Sequence, residues 1–292
     1  MVDLIVLNYN DANTTIDFID TIKEYPSIKN IIIVDNCSTD ISFSMLLKLK
    51  NDRIHVIQTD RNGGYGSGNN FGIRYLQNID HSNYVLQCNP DVHIDNDTIV
   101  NMEAFLSSNS EYALVAPVMH NSTGVPQKDT AYKINNCLTY ILSFEMILSK
   151  LFRIGLYNDL LDNSSCHFDV DAVAGSLFMF DFDVMVNHGM FDERVFLYCE
   201  ELILGMKFAD AGYKTAVLLK EKFVHNHSVT INKVYNSSLT TRKLLNQSRQ
   251  FVVKEYYHAP RFVQLLCKLL CQLSLLELFI RVKQKEIKHK FD

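Results

Sequence analysis

The apolar residues of the first 120 positions fall in short runs separated by polar stretches of helical period. "DLIVLNYN" (3–10) and "NIIIVDN" (30–36) are apolar without alternation, the pattern of strands covered on both faces. "RIHVIQT" (53–59), "YVLQCNP" (84–90) and "YALVAPV" (112–118) repeat the signal. The stretches between them predict helices up to about residue 24, over 41–50 and over 68–78. Strand and helix in alternation predict a parallel, right-handed, Rossmann-like sheet. Such a sheet binds its ligands outside the carboxyl ends of its strands.

Beyond residue 118 the pattern loosens. Residues 119–168 are polar and then carry an amphipathic helical pattern near 137–152, which reads as an insertion or acceptor-facing lobe. A second structured block follows: "VDAVAGSLFMF" (170–180), a helix over 181–188, the segment 189–214, and a strand "TAVLL" (215–219). From about 236 the chain reads as helical to its end. No internal repeat or low-complexity linker interrupts it.

Length and charge narrow the classes. A chain of 292 residues, 47% hydrophobic and 21% charged, suits one large domain or a domain with an appendage. A net charge of −5 speaks against nucleic acid as a partner. Seven cysteines, odd in number and without CxxC spacing, point to reduced thiols and a cytoplasmic setting rather than a disulfide framework or zinc knuckle. "MVDLIVLNYN" lacks the basic start of a signal peptide. No uninterrupted apolar run reaches about 18 residues, so no spanning helix is expected.

Candidate chemistry sits at strand ends: Asn8, Asn10, Asp35, Asn36, Asn89 and Asp91. Any one of these reads equally well as a helix cap or turn residue. Polar groups at three successive strand ends of one sheet edge point instead to a shared polar ligand. In "YVLQCNPDVHI" (84–94) Pro90 cannot donate to a ladder, and a carboxylate follows it. "TDRNGGYGSGNNFGI" (59–73) places five glycines in ten residues (63, 64, 66, 68, 72), which would let backbone approach a ligand, and adds the amides of Asn69 and Asn70. It matches neither GxGxxG nor GxxxxGK[ST]; a flexible surface loop is the plainer reading.

Seven segments in order carry a family resemblance: "VLNYN", "IIIVDNCSTD", "DRNGGYGSGNNFGI", "QCNPDV", "VAGSLFMF", "FDERVFLYCEELILGMKFADAGYK" and "VHNHS". Over roughly residues 1–232 the chain resembles glycosyltransferase family 2, in particular the rhamnosyltransferase-like branch of inverting enzymes that build bacterial surface polysaccharides. The resemblance implies an α/β GT-A fold with a mostly parallel central sheet flanked by helices. It divides the domain into a nucleotide-binding half (1–118) and an acceptor and catalytic half (119–232), followed by a helical C-terminal extension (233–292).

The resemblance also assigns roles. Leu7, Asn8 and Tyr9 would line the base and ribose, and Asp35 would accept from a pyrimidine imide. Asn62, Gly63, Asn69 and Asn89 complete the implied donor site. The family's D-x-D reads Asn89-Pro90-Asp91, leaving Asp91 as the single anionic ligand for Mn2+ or Mg2+. A hard divalent ion is what the departing nucleoside diphosphate, with its concentrated charge, requires. His225 matches the position of a further ligand, with His227 as its neighbouring alternative; a lone histidine reads equally as a structural one. A nitrogen ligand tilts the choice toward Mn2+.

The pattern F-x-Y-x-E-D-x-D-L aligns on Phe196 and Tyr198, so Glu201 takes the place of the general base and Glu200 precedes it, while Ile203 replaces the second Asp. An inverting transfer needs such a carboxylate to receive the acceptor's proton. Both acids would also steady a helix N-terminus without catalysing anything. Ala174-Gly175 with Ser176 would leave room for a sugar ring, and Asp192 and Glu193 would bind acceptor hydroxyls, Asp192 reading equally as a helix cap or turn residue.

The implied partners are a nucleotide-sugar donor, dTDP-rhamnose ahead of UDP-hexoses, and an oligosaccharide or polyprenyl-diphosphate-linked acceptor. Residues 260–290 form an amphipathic segment, and 261–292 hold seven Lys and Arg against three Asp and Glu. That segment would lie on the inner face of the cell membrane as a peripheral contact, pack on the domain, or form a homodimer seam. The alternative function is a catalytically impaired sugar-nucleotide-binding or scaffold protein, for which Asn89, Glu201 and Ile203 speak. A nucleotidyltransferase would need a basic signature near the first strand, and "LNYNDANTT" has no Lys or Arg.

Overall fold

The computed structural model describes residues 1–144, 155–157, 159–161, 164–226 and 238–291, with side chains to 284. His227 and the second half of the helix expected over 137–152 lie outside the described residues.

The N-terminal half alternates as its pattern predicts: β1 (Val2–Asn8), α1 (Ala12–Ile22), β2 (Ile28–Asp35), α2 (Ser42–Leu46), β3 (Ile54–Gln58), α3 (Tyr65–Leu76) and β4 (Tyr84–Cys88). Next come β5 (Val92–His93), α4 (Asn96–Ser108), β6 (Tyr112–His120), β7 (Ala131–Tyr132) and α5 (Cys137–Leu142). The second block comprises β8 (His167–Val170), β9 (Ala172–Val173), β10 (Leu177–Asp181), α6 (Phe182–His188), α7 (Glu200–Asp210) and β11 (Lys214–His225). Helices α8 (Ser238–Glu255) and α9 (Arg261–Phe291) close the chain.

The main sheet has nine strands in the order β3-β2-β1-β4-β10-β6-β11-β5, with β8 also paired to β11. Strands β3, β2, β1 and β4 are parallel. Ile5, Val6, Ile32 and Ile33 on them are fully buried, with α1 covering one face and α3 the other. The sheet is mixed beyond β4, because β10 enters antiparallel between β4 and β6. Its first residue Leu177 pairs with Cys88, so the turn before it meets the carboxyl end of β4. The apolar run 170–180 thus spans the end of β8, then β9 and β10, with breaks at 171 and at 174–176. At the far edge β5 pairs with β11, setting Val92 opposite His225.

Helix α3 corrects the reading of the glycine-rich stretch, since the segment is already helical from Tyr65. A Cβ on Gly68 would stand 2.4 Å from Leu7 Cδ1, and one on Gly72 would meet Ile5 and Val34 at 3.0 Å. These glycines serve the close approach of a helix to a sheet, not of backbone to a ligand. Each costs about 1 kcal/mol of helix propensity, which only tertiary packing offsets.

The C-terminal extension is a helical hairpin folded onto the domain. Val252 and Val253 of α8 and Cys267 and Cys271 of α9 form one apolar cluster with Tyr140 and Phe144, and with Val195 and Ile203. The Asn246 amide donates to the Cys271 carbonyl oxygen at 2.9 Å. By length and composition Arg261–Gln284 is a helix long and apolar enough to cross a membrane, which corrects the expectation that no segment would be. All seven cysteines are free thiols.

Polar contacts add to the docking of α8. Asp192 accepts from Arg194 Nη2 at 2.6 Å and from the Tyr256 hydroxyl at 2.8 Å, and Arg194 also reaches Glu255. Burial opposes ionisation of Asp192, but these donors outweigh it and hold the carboxyl at about 2. A carboxyl lowered in the fold stabilises above its unfolded pKa and loses that contribution as pH falls through the folded value. Asp192→Asn is therefore expected to cost about 1–3 kcal/mol at neutral pH. In denaturant melts the gap between wild type and variant should close as pH falls from about 4 toward 2.

Candidate active site

The first cluster lies where β1 and β2 end. Asp35 is fully buried, and its carboxylate receives four donors: Asn8 Nδ2 at 2.8 Å, Ser38 Oγ at 2.6 Å, the Ser38 amide at 3.0 Å and Gln58 Nε2 at 2.9 Å. Asn8 in turn accepts from Thr15 Oγ1 at 2.9 Å. The expected bond from Asp35 to a nucleotide base thus meets a carboxylate whose two oxygens are already engaged. In this geometry Asp35 fixes Asn8 and Ser38 to one another. Leu7 and Tyr9 are half-buried beside it. Asn62 sits at the same edge, accepting from Asn36 Nδ2 and from the Gly64 amide, both at 3.0 Å.

Two of the expected donor residues face the protein instead. Asn69 is buried and donates to the Tyr65 carbonyl one helical turn back. Gly63 stands two residues before α3, where a Cβ would be 2.5 Å from Ser67 Oγ.

The second cluster gathers around the end of β4. The Asn89 amide donates to the Ser176 carbonyl at 2.8 Å, joining the N-P-D turn to the break before β10. The Asn226 amide donates to the Asp91 carbonyl at 3.0 Å, tying the same turn to the end of β11. Asp91 is buried, its Oδ1 accepts no hydrogen bond, and it stands 3.3 Å from His225 Nε2. Adjacent ligands on an octahedral ion with bonds of about 2.1 Å lie roughly 3 Å apart, so this pair fits a small divalent cation. Among the described residues no group of three or more His, Cys, Asp or Glu could hold a metal. Any such ion would take its remaining ligands from outside these described side chains.

The third cluster is the start of α7. Tyr198 (φ 73°) and Cys199 (φ 70°) both occupy the left-handed region, a conformation costing non-glycine residues about 1–2 kcal/mol each. Surrounding contacts hold this turn in place. Ser248 Oγ of α8 donates to the Leu197 carbonyl at 2.6 Å, and the Tyr65 amide donates to the Phe196 carbonyl at 3.1 Å. The latter approach needs Gly64, which has φ 91° and whose Cβ would stand 2.0 Å from Phe196 O.

The strained turn presents two acids with different surroundings. Glu200 is 2% exposed, and its Oε1 has no hydrogen-bond partner. Glu201 is half-buried, with Oε1 resting on Gly175, where a Cβ would be 1.7 Å away. Burial raises the pKa of both carboxyls, and the charge of Glu201 pushes Glu200 up further. Glu200, the more enclosed of the two, is the harder to ionise. That division suits Glu201 to accept a proton.

Sequence reasoning missed the strut beneath these acids. The Tyr65 hydroxyl donates to the Gly175 carbonyl at 2.6 Å and accepts from Gln87 Nε2 at 2.8 Å. Burial, then the charge of Glu201, pushes the Tyr65 phenol well up. The signal was in the chain: Gln87 is a polar residue in the middle of an apolar strand, and it is fully buried. The two expected acceptor contacts are engaged elsewhere, and Ile203, which replaces an acid, packs apart from the site. Asp192 is clamped as described, Glu193 is held by Arg74 and Asn70, and Ile203 is fully buried in the apolar cluster under the C-terminal hairpin.

A Rossmann-like half with a polar edge, joined through an antiparallel strand to a half that presents an acid on a helix, is the GT-A fold of nucleotide-sugar glycosyltransferases. The chain belongs to Glycosyl transferase family 2, whose sequence model matches residues 3–181. It is 28% identical over 200 residues to the low-salt glycan biosynthesis hexosyltransferase Agl10 of Haloferax volcanii, covering 68% of this chain and 58% of that one. Over 157 residues it is 24% identical to the rhamnosyltransferase WbbL of Escherichia coli K12, covering 52% and 56%. The chain thus spans little more than half the length of these relatives. The fold is similar to that of GalNAc-T7 with UDP, GalNAc and Mn2+ (TM-score 0.61, 14% identity, 88% of this chain and 49% of that one). It is also similar to the mannosyltransferase PcManGT of Pyrobaculum calidifontis with GDP-Man and Mn2+ (TM-score 0.57, 16% identity, 94% and 69%).

Two glycine substitutions separate positioning from folding. Gly64→Ala meets backbone in a left-handed position and is expected to lower unfolding free energy by about 1–3 kcal/mol. Gly175→Ala meets only the mobile end of Glu201, so its melting temperature should stay near wild type. Displacing that carboxylate by about 1 Å should nevertheless lower turnover by roughly 10²-fold. Loss of fold in Gly175→Ala, or full turnover, would contradict this geometry.

Proposed function

We propose that the protein is an inverting, divalent-cation-dependent glycosyltransferase that moves a sugar from a nucleoside-diphosphate donor to a saccharide hydroxyl. The observation that carries this reading is the placement of Glu201 on Gly175, one residue from Ser176, whose carbonyl holds the Asn89-Pro90-Asp91 turn. A proton acceptor and a cation-binding pair thereby meet across one backbone junction.

In the proposed reaction Glu201 takes the proton of the acceptor hydroxyl as its oxygen bonds to the anomeric carbon. The bond from that carbon to the diphosphate oxygen breaks, and its electron pair leaves with the nucleoside diphosphate. Attack opposite the leaving group inverts the anomeric centre. Glu200, enclosed behind Glu201 and harder to ionise, would favour charge on the outer carboxylate. Mn2+ or Mg2+ held by Asp91 and His225 would offset the charge of the departing diphosphate. Leu7, Asn8, Tyr9 and Asn62 would receive the nucleoside, with Asp35 acting through Asn8 and Ser38. The donor class we favour is dTDP-rhamnose, with UDP-hexoses next. The resemblance to WbbL supports the first, and the solved complex of Staphylococcus aureus TarS with UDP-GlcNAc the second. Burial of Ile203 under the hairpin weakens the reading of an impaired enzyme, since that position lies outside the acid cluster.

Release of nucleoside diphosphate from these donors, with Mn2+ and a saccharide acceptor, tests the reading. Glu201→Gln should lose about 10²–10⁴-fold in kcat with donor KM little changed. The kcat/KM profile should fall on its acid side with an apparent pKa above the ordinary glutamate value of about 4.3. Wild-type turnover in Glu201→Gln would remove the base assignment.

The cation pair has its own readout. The extra thermal shift that Mn2+ adds to nucleoside-diphosphate binding should vanish in Asp91→Ala and shrink in His225→Ala. An unchanged shift in both would place the cation elsewhere.

A further inference from the structure

Helix α9 is apolar on two opposite sides, and the domain covers only one. Cys267, Cys271 and Ser274 face inward and are at most 2% exposed. Phe262, Leu265, Leu269, Leu273, Leu276 and Ile280 point outward, between 44% and 72% exposed. Their spacing of three or four residues aligns them in one stripe along about 27 Å of helix. At about 200 Å2 per large apolar side chain, these six leave on the order of 600 Å2 facing outward. That alone reaches the upper end of the roughly 300–600 Å2 of the largest patch on an ordinary monomer.

Charge decides what such a stripe would meet. Between 261 and 284 the single acidic residue is Glu277, which is mostly buried and ion-paired with Arg281. Arg261 and Lys268 are exposed, and residues 281–290 add five Lys and Arg against one Glu. A second copy of α9 would bring the same excess of cations, five Lys and Arg against one Glu over 281–290, so a self-paired seam would set like charges together. An anionic lipid surface supplies both complements, acyl chains for the stripe and phosphates for the flanking cations.

We infer that the outer face of α9 lies in the headgroup layer of an anionic bilayer, with the helix in the membrane plane and its inner face holding the domain on the water side. The inference rests on α9 alone and stands apart from the proposed reaction.

Flotation of the full chain with vesicles tests it. Vesicles of phosphatidylcholine with an equal share of phosphatidylglycerol should carry at least ten times more protein than phosphatidylcholine alone. Raising NaCl to about 0.5 M should reduce binding, because cation–phosphate attraction is screened. Leu269→Asp/Leu273→Asp alters only exposed positions. It should keep the wild-type circular dichroism spectrum and melting temperature while losing co-flotation at least tenfold. Undiminished binding of that folded variant would overturn the inference, as would wild type that binds neither vesicle. A wild type that ignores vesicles yet sediments as a dimer, with the double variant monomeric, would assign the face to a second copy and overturn it equally.

Discussion

Helix α3 can lie against the sheet and the second half of the domain at once only because glycines make its closest approaches. Gly68 and Gly72 meet Leu7, Ile5 and Val34, while Gly64 and Gly66 meet Phe196 and Phe191. From this one helix Tyr65 reaches Gly175, and Asn70 exchanges hydrogen bonds with the backbone of Phe191. The strand ends, the break before β10 and the turn before α7 are thereby referred to a common body. Sub-ångström placement of Glu201 on Gly175 depends on that body being rigid, since close-packed interiors transmit displacement rather than absorb it.

The two neighbouring acids illustrate how burial divides labour. Both carboxyls lose hydration, and the charge of Glu201 pushes Glu200 up further. Geometry separates the two: Glu200 is enclosed, whereas Glu201 is partly open. A similar economy governs Asp35, whose buried charge is tolerated because four donors surround it. Asp35 is thus prepared for holding strand ends together.

The C-terminal hairpin supports the turn before α7, which like the hairpin lies beyond the matched family segment 3–181. Ser248 fixes the Leu197 carbonyl beside the left-handed pair, and Tyr256 and Glu255 engage the Asp192–Arg194 unit just before it. Left-handed tyrosine and cysteine persist only when their surroundings over-determine them. Ile203 belongs to this same interface, which gives a packing reason for an apolar residue where the resembling family carries an acid.

The sequence by itself determined the parallel half of the sheet, because doubly covered strands must be apolar without alternation and helices must cover them. It also determined the acidic turn and the N-P-D strand end, since residue type and order alone mark them. It could not reveal that the glycines serve helix packing, that Asp35 and Asn69 are internally satisfied, or that Gln87 and Tyr65 form a strut. Nor could it show that α9 would be covered along one side only. Those outcomes belong to the tertiary structure, because a polar group's role depends on which partners surround it. Residues more than a hundred positions apart, such as Tyr65 and Gly175, become partners only when the sheet closes.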